Sequence, residues 1–154
     1  MDAESSRELA RRKRESTGQL LLRAARLLNE RAVGRVRAEG QPQLRPVHMT
    51  LMPHLDVQGT RLTELAARMG ISKQGASQIA GDLEEMGIVE RRPDPSDGRA
   101  RLVRFTRRGE QALFHGLGVL EGLEAELARS VGATRMQRLR QGLVALLAEL
   151  DKPA

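Results

Sequence analysis

At 154 residues, with a formal net charge of +6 and a pI near 11.0, the chain suits one domain or a small core with helical arms. It contains no cysteine, which excludes disulfides, thiolate metal sites and cysteine redox sensing. No run of about 18 apolar residues appears. The opening MDAESSRELARRKRES is charged where a signal peptide would be hydrophobic, so a soluble, cytoplasmic protein without membrane contact is expected.

The excess of positive charge favours a polyanionic partner, but its distribution says more than its size. Residues 91–108 hold seven arginines (91, 92, 99, 101, 104, 107 and 108) against Asp94 and Asp97. Residues 111–154 hold five basic and five acidic groups and are neutral. The positive field therefore sits on one short segment.

In chain order, residues 4–38 read as one long helix, with Leu20, Leu21, Ala24, Leu27, Leu28, Ala32 and Val36 forming an apolar stripe. Gly40 and Pro42 end it. Pro46 suits the first turn of a second helix over 46–55, which Pro53 should kink or cut short. Leu62, Leu65, Ala66 and Met69 have helical spacing, and Gly70 supplies a left-handed stop. Ser72 is a good N-cap for a helix over 73–86 with Ala76, Ile79, Ala80 and Leu83 turned inward. After Gly87, IVERR (88–92) reads as a strand, PDPSDG as a loop and RARLVRF (99–105) as a second strand. Two further helices follow, from Thr106 to about 130 and over 133–150, both leucine-striped. Gly116, Gly118 and Gly122 in the first of these suggest a close helix approach or a pliable region.

Helix, tight turn, helix and hairpin make a winged helix-turn-helix. The fold class expected is mainly α with a small β-hairpin wing (α+β), flanked by long N- and C-terminal helices. Leu65, Met69, Ile71, Ala76 and Ile79 would supply the shared core, and small Ala66 lets the two helices cross closely. Lys73, Gln74, Ser77 and Gln78 are left on the exposed N-terminal face of the second helix, the end that enters a major groove in such motifs. Lysine there reaches phosphate or guanine, and glutamine pairs with adenine. Asp97 can pair with Arg99 or with turn amides. Arg99 and Arg101 lie two residues apart, on one face of a strand, where an arginine suits the narrow minor groove. Ser72, Lys73, Gln74, Ser77, Gln78, Arg92, Asp97, Arg99 and Arg101 are thus the expected DNA-binding set, with double-stranded DNA as partner.

The stretch LTELAARMGISKQGASQIAGDLEEMGIVERRPDPSDGRARLVRFTRRG resembles the multiple antibiotic resistance regulator (MarR) family. The shared elements are LxELAxxxGxS, LEExGxVERxxDPxDGR, the wing's Asp97-x-Arg99, and Phe105-Thr106-Arg107-Arg108-Gly109 in place of the family's Leu-Thr-x-x-Gly. The resemblance implies one MarR-like domain over 1–154, with a dimerisation region over 1–40 and 110–150 and a DNA-binding region over 46–108. It also implies a homodimer on a pseudo-palindromic operator, commonly a repressor released by small aromatic or phenolic acids. The apolar stripes at 20–36, 113–127 and 136–150 independently ask for a partner. Gly75 and Gln78 depart from the threonine and arginine that relatives often carry, so no operator sequence follows. A ligand would sit near Arg26, His48, Met52 and Phe114.

Other readings are weaker. The six-residue spacing of His48 and His54 does not place them on one helical face as zinc ligands, and no metal or cofactor is expected. No nucleophile elbow, phosphate loop or HExxH motif appears, so an enzyme is not expected. The alternative from another class is a winged-helix interaction module whose basic wing binds an acidic partner.

Overall fold

The computed structural model describes residues 2–152. They form two compact units, one ending at Gly116 and the other starting at Leu117.

The helix expected over 4–38 is two helices, α1 (Ala3–Glu15) and α2 (Thr17–Ala38). Ser16 lies between them with an extended backbone, and its Oγ accepts the Gln19 N–H at 3.4 Å. Ser16-Thr-Gly-Gln19 has capping-box spacing, so a new helix start was written inside the apolar stripe. On α2 only Ala32, Val33 and Val36 are buried, whereas Leu20, Leu22 and Leu27 are exposed.

The helix expected over 46–55 is cut short as Pro53 requires. It becomes α3 (Pro46–Met49) followed by a 3-10 turn, Met52–His54, with Pro53 in its first positions. Next comes a strand that sequence reading missed, β1 (Thr60–Arg61). Gly59 before it has φ +98°, and a Cβ there would lie 3.1 Å from the Val103 carbonyl, so both backbone angle and space require glycine.

The helix-turn-helix follows as α4 (Leu62–Met69) and α5 (Lys73–Glu85), with Gly70 left-handed at φ 66°. Ala76, Ile79, Ala80 and Leu83 of α5 are buried, as their spacing requires. Ile71 is not part of the core: it is 40% exposed in the turn. Strands β2 (Val89–Asp94) and β3 (Asp97–Phe105) are longer than expected, leaving only Pro95-Ser96 between them. The antiparallel sheet has the order β1-β3-β2, with Val103 opposite both Thr60 and Arg91. Leu51, Leu55, Leu65, Leu83, Val89 and Val103 lie at the centre of the core.

Helix α6 (Arg107–Val131) starts on a fixed joint. Thr106 Oγ donates to the Gly87 carbonyl at 2.6 Å and accepts the Gly109 N–H at 2.9 Å, and the Thr106 N–H donates to the Ile88 carbonyl at 3.0 Å. Gly109 packs so tightly there that a Cβ would fall 1.8 Å from the Ile88 oxygen.

In the second unit, α7 (Ala133–Leu150) has no buried residue, and Leu139, Val144, Leu147 and Leu150 are exposed. A Cβ on Gly116, Gly118 or Gly122 would meet nothing within 4 Å, so among the described residues no close helix approach explains these glycines. Among the described residues no helix is long and apolar enough to cross a membrane.

Candidate nucleic-acid interface

Helix α5 starts where Ser72 turns from extended backbone and its Oγ accepts the Gly75 N–H at 3.1 Å. With Ala76, Ile79, Ala80 and Leu83 committed to the core, the opposite face is free. Lys73, Gln74, Ser77 and Gln78 line one open surface together with Gly81 and Arg91. Ser72, Lys73, Gln74 and Gln78 are exposed. Ser77 is half-buried, and its carbonyl accepts a 2.9 Å hydrogen bond from the Arg91 guanidinium. Arg91 reaches across from β2, also pairing with Glu84 at 3.6 Å, and its buried Nε has no partner. Along the sequence Arg91 registers only as charge.

The wing tip is held by a carboxylate that sequence reading passed over. Asp94 is 6% exposed and accepts from Ser96 N–H at 2.8 Å, Ser96 Oγ at 2.7 Å and Arg61 Nε at 2.6 Å. Hydrogen bonds from the Ser96 side chain and amide, reinforced by Arg61, hold the Asp94 carboxyl down at about 2. An Asp with Ser two residues on is an Asx-turn signature, so the signal was present. Asp97, by contrast, is exposed and accepts the Arg99 backbone N–H at 3.1 Å.

The seven clustered arginines divide into two groups. Glu90 pairs with Arg92 at 2.9 Å and with Arg104 at 2.8 Å, and these two arginines, Arg92 first, hold its carboxyl below its ordinary range. Arg91 is engaged as described. Arg99, Arg101, Arg107 and Arg108 are exposed and make no ion pair among the described residues. Arg99 and Arg101 share one face of β3. The surface therefore offers a polar helix face with one lysine, and a wing with unpaired guanidinium groups.

The ligand set does not converge in the same way. Arg26 is exposed and pairs with Glu30 at 2.6 Å, and Phe114 is 75% exposed. His48 is buried and bonded to Arg45 and Asp82. Met52 lines a small apolar cavity with Leu44, Met49, Met86 and Leu113, in which Gln41 is the one polar side chain. Among the described residues no group of three or more His, Cys, Asp or Glu side chains could hold a metal ion.

Comparison with known proteins places this geometry. The model of the MarR family matches residues 44–100, from the cavity-lining loop to the wing. The chain is 30% identical over 90 residues to the transcriptional repressor MprA of Escherichia coli (strain K12), an alignment covering 58% of this chain and 51% of MprA. It thus spans about half the length of the curated relatives it matches. Among solved structures, MarR superposes with a TM-score of 0.63 at 27% identity, over 84% of this chain and 90% of MarR. The repressor CouR bound to a 23-mer DNA duplex gives 0.64 at 23% identity, over 92% of this chain and 96% of CouR. CouR from Rhodococcus jostii RHA1 bound to p-coumaroyl-CoA gives the same score over 87% and 93%. Matched profile and shared winged-helix fold agree with the DPSDGR wing motif: over its winged-helix segment the chain is similar to the MarR family.

Proposed function

We propose that the chain is a sequence-specific, double-stranded DNA-binding transcription regulator, acting in the cytoplasm as a homodimeric repressor on a pseudo-palindromic operator. The observation that carries this reading is the free face of α5, where Lys73, Gln74, Ser77 and Gln78 stand together beside a wing with unpaired Arg99 and Arg101. The α5 face suits a major groove and the wing arginines a minor groove. MprA and CouR are both named repressors, and CouR has been captured on a duplex. The exposed apolar faces of α2 and α7 support a second copy as partner, because a monomer seldom leaves so much apolar surface in water.

Regulation by a small molecule is part of the same proposal, and the apolar cavity, about 40 Å³, must widen to admit one. That lining holds no charged side chain, so it favours a neutral apolar ligand over an aromatic or phenolic acid.

Selection of bound duplexes from random DNA tests the reading, followed by affinity and mass measurements on the selected site. The expected mass is about twice the 17.0 kDa chain. Lys73→Ala and Arg99→Ala should each cost about 1–3 kcal/mol of binding with the dimer intact, and Arg99→Ala should lower the salt slope by about one. Wild-type affinity in both variants overturns the assigned contacts.

A further inference from the structure

We infer that Arg45 and His48 are positioning residues, which clasp Asp82 and thereby set the pose in which α5 presents its DNA-facing side chains. The inference rests on the DNA-binding reading above and concerns residues outside the contact surface. His48 is 1% exposed, and a polar ring buried this deeply must be hydrogen-bonded or it costs stability. Its Nδ1 lies 3.2 Å from the Arg45 backbone nitrogen. An amide can only donate, so Nδ1 accepts and Nε2 carries the proton. Nε2 then donates to Asp82 Oδ2 at 3.3 Å, and the Arg45 guanidinium, 3.2 Å from Nε2 and itself only a donor, donates to the same oxygen.

Asp82 is not an arbitrary point on α5. Gln74, Gln78 and Asp82 are spaced four apart, so they form one row along the helix. Fixing Asp82 fixes the end of the row whose other members face the groove. A bare carboxylate on that row would repel phosphate, and Arg45 neutralises it. The clasp is itself anchored, because Asn29 Nδ2 of α2 donates to the Pro46 carbonyl at 3.0 Å. From the opposite side, Arg91 of β2 donates to the Ser77 carbonyl. The recognition helix is thus held on both flanks by hydrogen bonds to fixed points, in addition to its apolar packing. An ion pair as exposed as Arg45–Asp82 adds little to stability. What the clasp supplies is a defined direction, which a greasy contact does not.

The test uses the full-length chain and the duplex it selects, with a random duplex as reference, over a range of salt. His48→Leu keeps the buried volume and removes both ring hydrogen bonds; Asp82→Asn alters a half-buried side chain and guards against a folding failure at position 48. Each should lower the ratio of selected-site to random affinity by roughly tenfold, a mid-range value for coupled contacts, and His48→Leu, which changes no charged partner of Arg45, should do so with the salt slope unchanged. Both should also speed amide exchange across residues 73–85 in the free protein. His48→Gln, which retains a donor and an acceptor, should recover most of the ratio. Variants that melt earlier but keep the wild-type ratio would reduce the clasp to a stabilising contact and overturn the inference. So would Arg45→Gln lowering the salt slope by about one, since Arg45 would then be a phosphate contact. If the wild type itself selects no duplex, the DNA reading fails first and takes this role with it.

Discussion

Replacing Gly109 by alanine separates helix propensity from packing, because the two predict opposite signs. Gly109 lies in the first turn of α6, and propensity alone makes Gly→Ala stabilising by up to about 1 kcal/mol. The structure leaves no room for the methyl group. A Cβ would sit 1.8 Å from the Ile88 oxygen and 2.8 Å from its carbonyl carbon, whereas ordinary contacts begin at 3.4 Å. The turn must open by more than an ångström. The Ile88 oxygen is the acceptor of the Thr106 N–H at 3.0 Å, and the neighbouring Gly87 oxygen accepts Thr106 Oγ at 2.6 Å. Losing both hydrogen bonds costs about 2 kcal/mol, and residual overpacking adds about 1–3. After the propensity gain, Gly109→Ala should destabilise the protein by about 2–4 kcal/mol. With a urea m-value of about 2 kcal/mol/M, the unfolding midpoint should fall by about 1–2 M, at matched protein concentration. A midpoint unchanged or raised would show that the joint does not hold α6 as described.

Three further outcomes follow from the same contacts. Ser72→Ala removes the acceptor for the Gly75 N–H and should cost about 1 kcal/mol of stability, read by urea unfolding. The Asp94 carboxyl is depressed from 3.8 to about 2, so its contribution is complete above 3.8 and lost as pH falls through about 2. NMR titration of that carboxyl should place its midpoint near 2. Arg61→Ala should move the midpoint only part of the way back, because Ser96 supplies the larger effect; a full return to 3.8 would contradict that ordering. Glu90→Gln releases Arg92 and Arg104, so affinity for random duplex should rise and its salt slope steepen by about one to two. A flat response would mean that these arginines face away from the nucleic acid.

Much of the helix-turn-helix was legible because single residues decide it. Gly70 permits the left-handed turn, Ser72 caps α5, and four apolar positions leave one face of that helix for water or DNA. The break at Ser16 was equally local, but its capping box lay inside a stripe whose apolar period ran on unbroken, and the period dominated the reading. Strand β1 has two residues and no period at all; only its pairing with Val103 and Leu102 makes it a strand. Gly109 was recognised as part of a motif, yet its reason is a carbonyl 21 positions earlier in the chain. Spacing reports what a residue's neighbours in sequence require of it, and cannot report this.

The arginine cluster shows the same limit acting on charge. Counted along the chain, residues 91–108 carry seven arginines and two aspartates. In space, Glu90 lies just outside that window and pairs with two of the arginines, while Glu84, a helix away, pairs with a third. One of the two aspartates is consumed by Arg61, which also lies outside the window. The local field at the wing is therefore set less by the segment's formal charge than by which guanidinium groups remain unpaired, Arg99 and Arg101 foremost. Exposed pairs such as Arg92–Glu90 contribute little to stability, so a nearby phosphate can compete for the arginine at small cost. On the proposed DNA-binding reading, Glu90 would act as a local counterweight to non-specific binding, releasing its arginines only where the fit of α5 and the wing brings a phosphate close. On that argument, neutralising Glu90 should strengthen random binding more than selected-site binding, lowering specificity as it raises affinity.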